Sequence, residues 1–125
     1  MDTLTPLEHA VLEKLLFGDS ERYRVLQNQI HALRVRERKM TGVGFFTRFS
    51  IPDDIPKLPD EATFQIGGVG ADISDLEHGA GFVLFINNGQ IETLEGFTYD
   101  EPWPQNVHNF HLHLIPTSKR ASSSG

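Results

Sequence analysis

The dipeptide Asn88-Gly89 constrains this chain more than any other pair in it. Both residues adopt positive φ at low cost, and the pair joins two apolar runs, so a two-residue type I′ hairpin is predicted. The run before it, "GFVLFI" at 81–86, is apolar at every position after its glycine, which predicts a strand covered on both faces. The run after it, 90–99, carries Ile91, Leu94, Phe97 and Tyr99, and Gly96 is a candidate bulge in that return strand.

The rest of the chain supplies more strands and two helices. In "TGVGFFTRFSI", Val43, Phe45, Phe49 and Ile51 share one parity, with Thr47 among them. "PDDIPKLPDE" has three prolines in ten residues and is a loop. In "ATFQIGGVGADI", Phe64 and Ile66 lie on one parity and Val69, Ala71 and Ile73 on the other, so a bulge is predicted at Gly67-Gly68. Phe110, Leu112 and Leu114 alternate with His111 and His113 in a last strand, and Pro116 ends it.

Upstream, Thr5-Pro6-Leu7-Glu8 reads as a capping box with proline at the first helical position, and Val11, Leu12, Leu15 and Leu16 follow at helical spacing. Gly18 suits the end of that helix, and Asp19 or Ser20 caps a second one. Tyr23, Leu26, Ile30 and Leu33 form its apolar face, and Arg34, Arg36, Arg38 and Lys39 gather at its C-terminal end, where cations suit the helix dipole. Two helices followed by hairpin-linked strands predict an α+β fold: an N-terminal helical pair packed on a mostly antiparallel, bent sheet of about five strands. The expected organisation is one domain over 1–116 and a small, polar tail over 117–125.

Charge and composition exclude several classes of function. Without cysteine there is no disulfide, iron–sulfur or thiol chemistry, and a cytoplasmic location is expected. No basic stretch precedes the first apolar residues, and charges interrupt them, so neither a signal peptide nor a membrane contact is expected. The net charge of −6 argues against a nucleic-acid partner. Residues 1–40 hold seven Lys/Arg against six Asp/Glu, whereas 41–118 hold two against eleven, so the acidity belongs to the strands.

The candidate sites divide by chemistry. His111 and His113 stand two apart on one face of a strand, a spacing that chelates a divalent metal if a third ligand comes from Glu92, Glu95, His78 or His108. The competing reading is a polar sheet face, and no cofactor is expected. Glu92 and Glu95, three apart, are expected on opposite faces unless Gly96 disturbs the register, which disfavours a carboxylate pair for acid–base work. The short glycine clusters at 42–44, 67–70 and 79–81 lack the strand–turn–helix context of a phosphate loop. Ser20, Ser50 and Ser74 lack a nucleophile elbow. A small-ligand pocket between helices and sheet would draw on Phe45, Phe49, Phe82 and Phe85.

"LEGFTYDEPWP" at 94–104 sets Tyr99 and Trp103 beside Asp100 and Glu101, with Pro102 and Pro104 stiffening the backbone. Trp103 suits either a plug at the end of the core or an anchor in a contact surface. Together with "GVGFFTRF" and "LEHGAGFVLFINNGQIETLEGFTYDEPWP", this segment resembles a group of small bacterial proteins of unassigned activity, over roughly 5–115. The resemblance implies a bacterial single-domain protein and no catalytic residue. In size and acidity the chain is also similar to toxin-immunity proteins. The expected function is therefore a non-enzymatic, acidic protein-binding module of the inhibitor or immunity type, facing a basic partner such as a nuclease toxin. Asp72, Asp75, Glu77, Glu92, Glu95, Asp100 and Glu101 are the expected contact charges, with Tyr99 or Trp103 as anchor. The sparsely charged 41–51 strand marks a second copy of the chain as a further candidate partner, pairing at a free edge. The alternative is a small metal-dependent enzyme or metal-binding domain built on His111 and His113.

Overall fold

A computed structural model describes residues 3–105, 107 and 109–115, so the 117–125 tail and His108 lie outside the described residues. The first helix, α1 (Pro6–Leu15), starts as its capping box dictates. Glu8 N–H donates to Thr5 Oγ1 at 3.0 Å, and Thr5 N–H donates back to Glu8 Oε1 at 2.9 Å. Helix α2 (Glu21–Ile30) is capped by Ser20, whose Oγ accepts from Tyr23 N–H. Gln27 Nε2 ties the link between the helices by donating to the Leu16 and Gly18 carbonyls.

The predicted helix end at Arg34, Arg36, Arg38 and Lys39 is a strand instead. Helix α2 ends at Ile30, and β1 (Arg34–Met40) pairs antiparallel with β2 (Gly44–Ser50). No apolar stripe at helical spacing runs through "RVRERKM", and its backbone groups find partners along β2, so pairing overrides the helix preference of Arg, Glu and Lys. That segment supplies the sixth strand. With β3 (Phe64–Ile73), β4 (Ala80–Asn87), β5 (Gln90–Thr98) and β6 (Phe110–Leu114), the sheet runs β1-β2-β5-β4-β3-β6, antiparallel throughout. The molecule is thus α+β with an antiparallel sheet. Residues of the 41–51 stretch form β2, which is internal, so the edge pairing expected of it is not open to it.

The Asn88-Gly89 turn forms as predicted, with φ of 55° and 78°. The β3 bulge falls between Ile66 and Val69, as the parity flip requires. The β5 bulge is at Glu92 rather than Gly96: Phe85 pairs with Thr93 and Ile86 with Ile91, leaving one residue over. Ile91 and Leu94, three apart, are consequently both fully buried.

One face of the sheet packs on the helices. Phe45, Phe49, Ile66, Val69, Ile73, Phe82, Leu84, Ile86, Ile91 and Leu94 share a core with Leu7, Val11, Leu12, Leu15, Leu16, Leu26 and Ile30. Each such side chain contributes roughly 1.5–3 kcal/mol by leaving water. Gly96 is needed in this layer because the Phe45 ring lies where a side chain there would stand. Among the described residues nothing packs over the opposite face, which is open. Strand β4 buries Phe82, Leu84 and Ile86 but leaves Val83 and Phe85 half-buried, so it is not covered on both sides as expected. Two residues of inward parity also stay exposed: Val43, in the β1–β2 turn, and Leu114, at the end of β6.

Candidate functional site

The open face is built from the outward positions of adjoining strands. Cross-strand register sets Phe46 beside Glu95 and Val83, Arg48 beside Thr93 and Phe85, and Phe97 beside Gly81. Tyr99 stacks edge-on against Phe97, with centroids 5.7 Å apart, and both rings crowd over Gly81, which has no side chain to oppose them. Partly exposed aromatics therefore run across a surface fixed by the sheet beneath.

The expected contact charges fall into two groups. Glu92 and Glu95 are mid-sheet, and the bulge puts both on the open face rather than on opposite faces. Glu92 lines a groove of about 520 Å³ with Glu37, Lys39, Phe46, Arg48, Phe85 and Thr93, so cations stand near it there, and its carboxylate accepts from Asn87 Nδ2. The second group collects at one end of the sheet. Asp72 ends the outward row of β3, Asp75 and Glu77 are in the β3–β4 turn, and Asp100 and Glu101 leave β5 beside that turn. Neither 72–79 nor 99–104 contains a lysine or arginine.

Glu101 organises this end. Asp100 takes the left-handed conformation (φ 74°), which Asp tolerates better than most residues. The next carboxylate thereby reaches the β3–β4 turn, where Oε1 accepts from Glu77 N–H and Oε2 from His78 N–H, each at 2.9 Å. Those two donors, with the Glu77 amide foremost, hold the Glu101 carboxyl below its ordinary range. Thr98 locks the same corner: its backbone N–H donates to the Val43 carbonyl at 2.9 Å and its Oγ1 to the Glu101 carbonyl. Glu101 thus shapes the acidic end, while Asp72, Asp75, Glu77 and Asp100 stand exposed around it. Tyr99, 43% exposed, adjoins them.

Trp103 is the plug. Its ring meets Phe45 at 5.1 Å and Phe82 at 6.4 Å, both edge-on, and its N–H of the backbone donates to the Gly42 carbonyl at 2.7 Å. Partly buried, it packs over the core on the side opposite the open face, and Tyr99 is the more exposed ring of the two. Of the residues expected to line a ligand pocket between helices and sheet, Phe49 and Phe82 pack in the core and Phe85 points to the other face; Phe45 borders a groove of about 330 Å³ shared with Leu7, Arg38, Met40 and Trp103 at the start of α1.

His111 and His113 do lie on the outward side of β6. Asp72 pairs with His111, and its Oδ1 is 3.7 Å from His113 Nε2. Glu92 and Glu95 are on β5, with β4 and β3 between it and β6, and His78 is in the β3–β4 turn, where its N–H is held by Glu101. Among the described residues no three His, Asp or Glu side chains converge to hold a metal.

One buried ionic group shows in the sequence only as a helix cap. The Glu8 carboxylate is 1% exposed and accepts from Arg38 Nε (2.9 Å) and Nη2 (2.7 Å) and from Thr47 Oγ1 (2.6 Å). Burial works to raise its pKa, but the Arg38, Thr47 and Thr5 hydrogen bonds and the Arg38 charge outweigh it and leave the carboxyl below its ordinary value. The hydrogen bond to Glu8 in turn raises Arg38. Every carboxylate oxygen is paired, so the group staples α1 to β1 and β2 and offers no free base. No local pattern marks a contact spanning thirty residues.

The fold and the open face define a class, an α+β sheet protein with an aromatic surface and an acidic end. No protein-family model matches the chain, and no curated protein or solved structure matches it significantly.

Proposed function

We propose that this chain is a non-enzymatic protein-binding module of the inhibitor or immunity type, which takes a basic protein partner at the acidic end of its sheet. The observation that carries this reading is the setting of Tyr99 among Asp72, Asp75, Glu77 and Asp100, in segments without lysine or arginine, on a corner held by Glu101. A half-exposed tyrosine is a low-entropy anchor, and the acids around it steer a cation-rich surface into place. A nuclease fits this chemistry, because a protein that grips a polyanion carries a cationic surface of its own. Glu92 and Glu95 are secondary contributors, since both stand mid-sheet away from this end and Lys39 and Arg48 share the Glu92 groove.

The test is affinity capture from the native cell, followed by mass spectrometry, with the protein beside a Tyr99→Ala, Asp75→Asn, Asp100→Asn variant. The expected outcome is a basic protein that the original chain retains at low salt, that high salt elutes, and that the variant fails to retain. A partner held equally by the variant, or held without regard to salt, would refute the proposal.

A further inference from the structure

Among the described residues the sheet has two edges, β1 and β6, and they are built differently. The β1 edge carries Arg34, Arg36, Arg38 and Lys39 and a bulge between Val35 and Glu37, features that keep a foreign strand from adding. The β6 edge, Phe-His-Leu-His-Leu, has no Lys, Arg, Asp or Glu. Beside it stand the two most exposed large apolar side chains among the described residues, Phe17 at 84% and Leu114 at 68%. They line one groove of about 390 Å³ between α1 and β6, together with Ala10, Glu13, Lys14 and Leu112.

Hydrogen-bond parity fixes which groups this edge offers. Ile115 N–H donates to the Gly68 carbonyl at 2.8 Å, so His113 and His111 also direct their backbone groups toward β3. Phe110, Leu112 and Leu114 therefore direct both N–H and C=O away from the sheet. These are also the residues whose side chains lie on the helix side, next to the groove.

We infer that the β6 edge is an interface between two copies of this chain, paired antiparallel about Leu112. The occupant follows from self-complementarity. Phe-His-Leu-His-Leu has the same alternation in both directions, so a two-fold axis at Leu112 sets Leu112 opposite Leu112 of the second copy and Phe110 opposite the second copy's Leu114. The register uses every outward backbone group of these three residues and puts apolar side chains against apolar ones. Phe17 and Leu114 of each copy then close over the junction. Glu13 and Lys14 give each groove one charge of either sign, so the chain's net acidity does not oppose the approach there. The sheet becomes continuous across both copies, with the two acidic ends free.

Sedimentation equilibrium over a concentration series, with amide hydrogen exchange on the same full-length samples, tests the inference. Phe17→Glu and Leu114→Lys alter exposed positions and leave the core intact. A dimer is expected whose dissociation constant rises at least about tenfold in each variant, with Phe110, Leu112 and Leu114 amides protected only in the dimer. A chain that stays monomeric at every concentration overturns the inference. So does a dimer that both variants leave unchanged, or a monomer in which those three amides are already protected.

Discussion

Gln29 in α2 holds the backbone of Ile91, sixty-two residues away, with its Oε1 accepting from Ile91 N–H at 2.9 Å. Its Nε2 donates to the carbonyls of Gly89 and Pro56, each at 3.1 Å, and the whole side chain is buried. One amide therefore fastens the Asn88-Gly89 hairpin and the proline-rich loop to the helical layer. Gln29→Leu keeps most of the volume but strips partners from three backbone groups. The expected loss is roughly 2–4 kcal/mol, read from urea denaturation as a lower midpoint at constant slope. A change of only a few tenths would mean that water reaches this site.

Glu8 and Arg38 predict non-additivity. Arg38→Met alone leaves a buried carboxylate short of its main partner and should cost about 3 kcal/mol. Arg38→Met combined with Glu8→Leu should cost clearly less than the sum of the two single changes, because the second change removes the stranded charge. Additive losses would show that the two groups do not act as a pair.

The same pair sets a pH dependence. The folded-state pKa of Glu8 lies below its ordinary 4.5, so the stabilisation is present above that value. It is lost as pH falls through the folded-state pKa. Glu101 is lowered too and acts in the same direction. Thermal melts should fall as pH drops below about 4.5. Glu8→Gln should flatten that fall while lowering stability at neutral pH. An unchanged acid profile in the variant would assign acid sensitivity to other carboxylates.

Glu101→Gln tests the corner that presents Tyr99 and Asp100. The neutral amide keeps one acceptor oxygen for the two backbone donors. Hydrogen exchange at the Glu77 and His78 amides should quicken, with little effect on β5 itself. If exchange there is unaltered, the turn holds its shape without the carboxylate.

Gly96→Ala should destabilise although alanine is the better strand residue. The added methyl meets the Phe45 ring, which also carries Trp103. A cost of about 1–3 kcal/mol is expected, with the indole fluorescence of the single Trp shifting as the plug moves.

The sequence by itself determined what acts over a few residues. The Thr5/Glu8 capping box and the Asn88-Gly89 turn close through neighbouring backbone groups, and the parity flip at Gly67-Gly68 is written in the alternation of the strand itself, so their residue types are enough to identify them. Tertiary structure decided what depends on a distant partner. Residues 34–40 have helix-forming side chains but pair with β2, because strand pairing satisfies their backbone without an apolar stripe. The bulge moved from Gly96 to Glu92 because the core needed Ile91 and Leu94 inside together and Gly96 beneath Phe45. Trp103 became a plug and Tyr99 the exposed ring for the same reason: the space over Phe45 and Phe82 exists only once β2, β5 and β4 lie side by side. Local torsional preference can be read along a chain, whereas burial is fixed only by the packing of segments that the sequence keeps far apart.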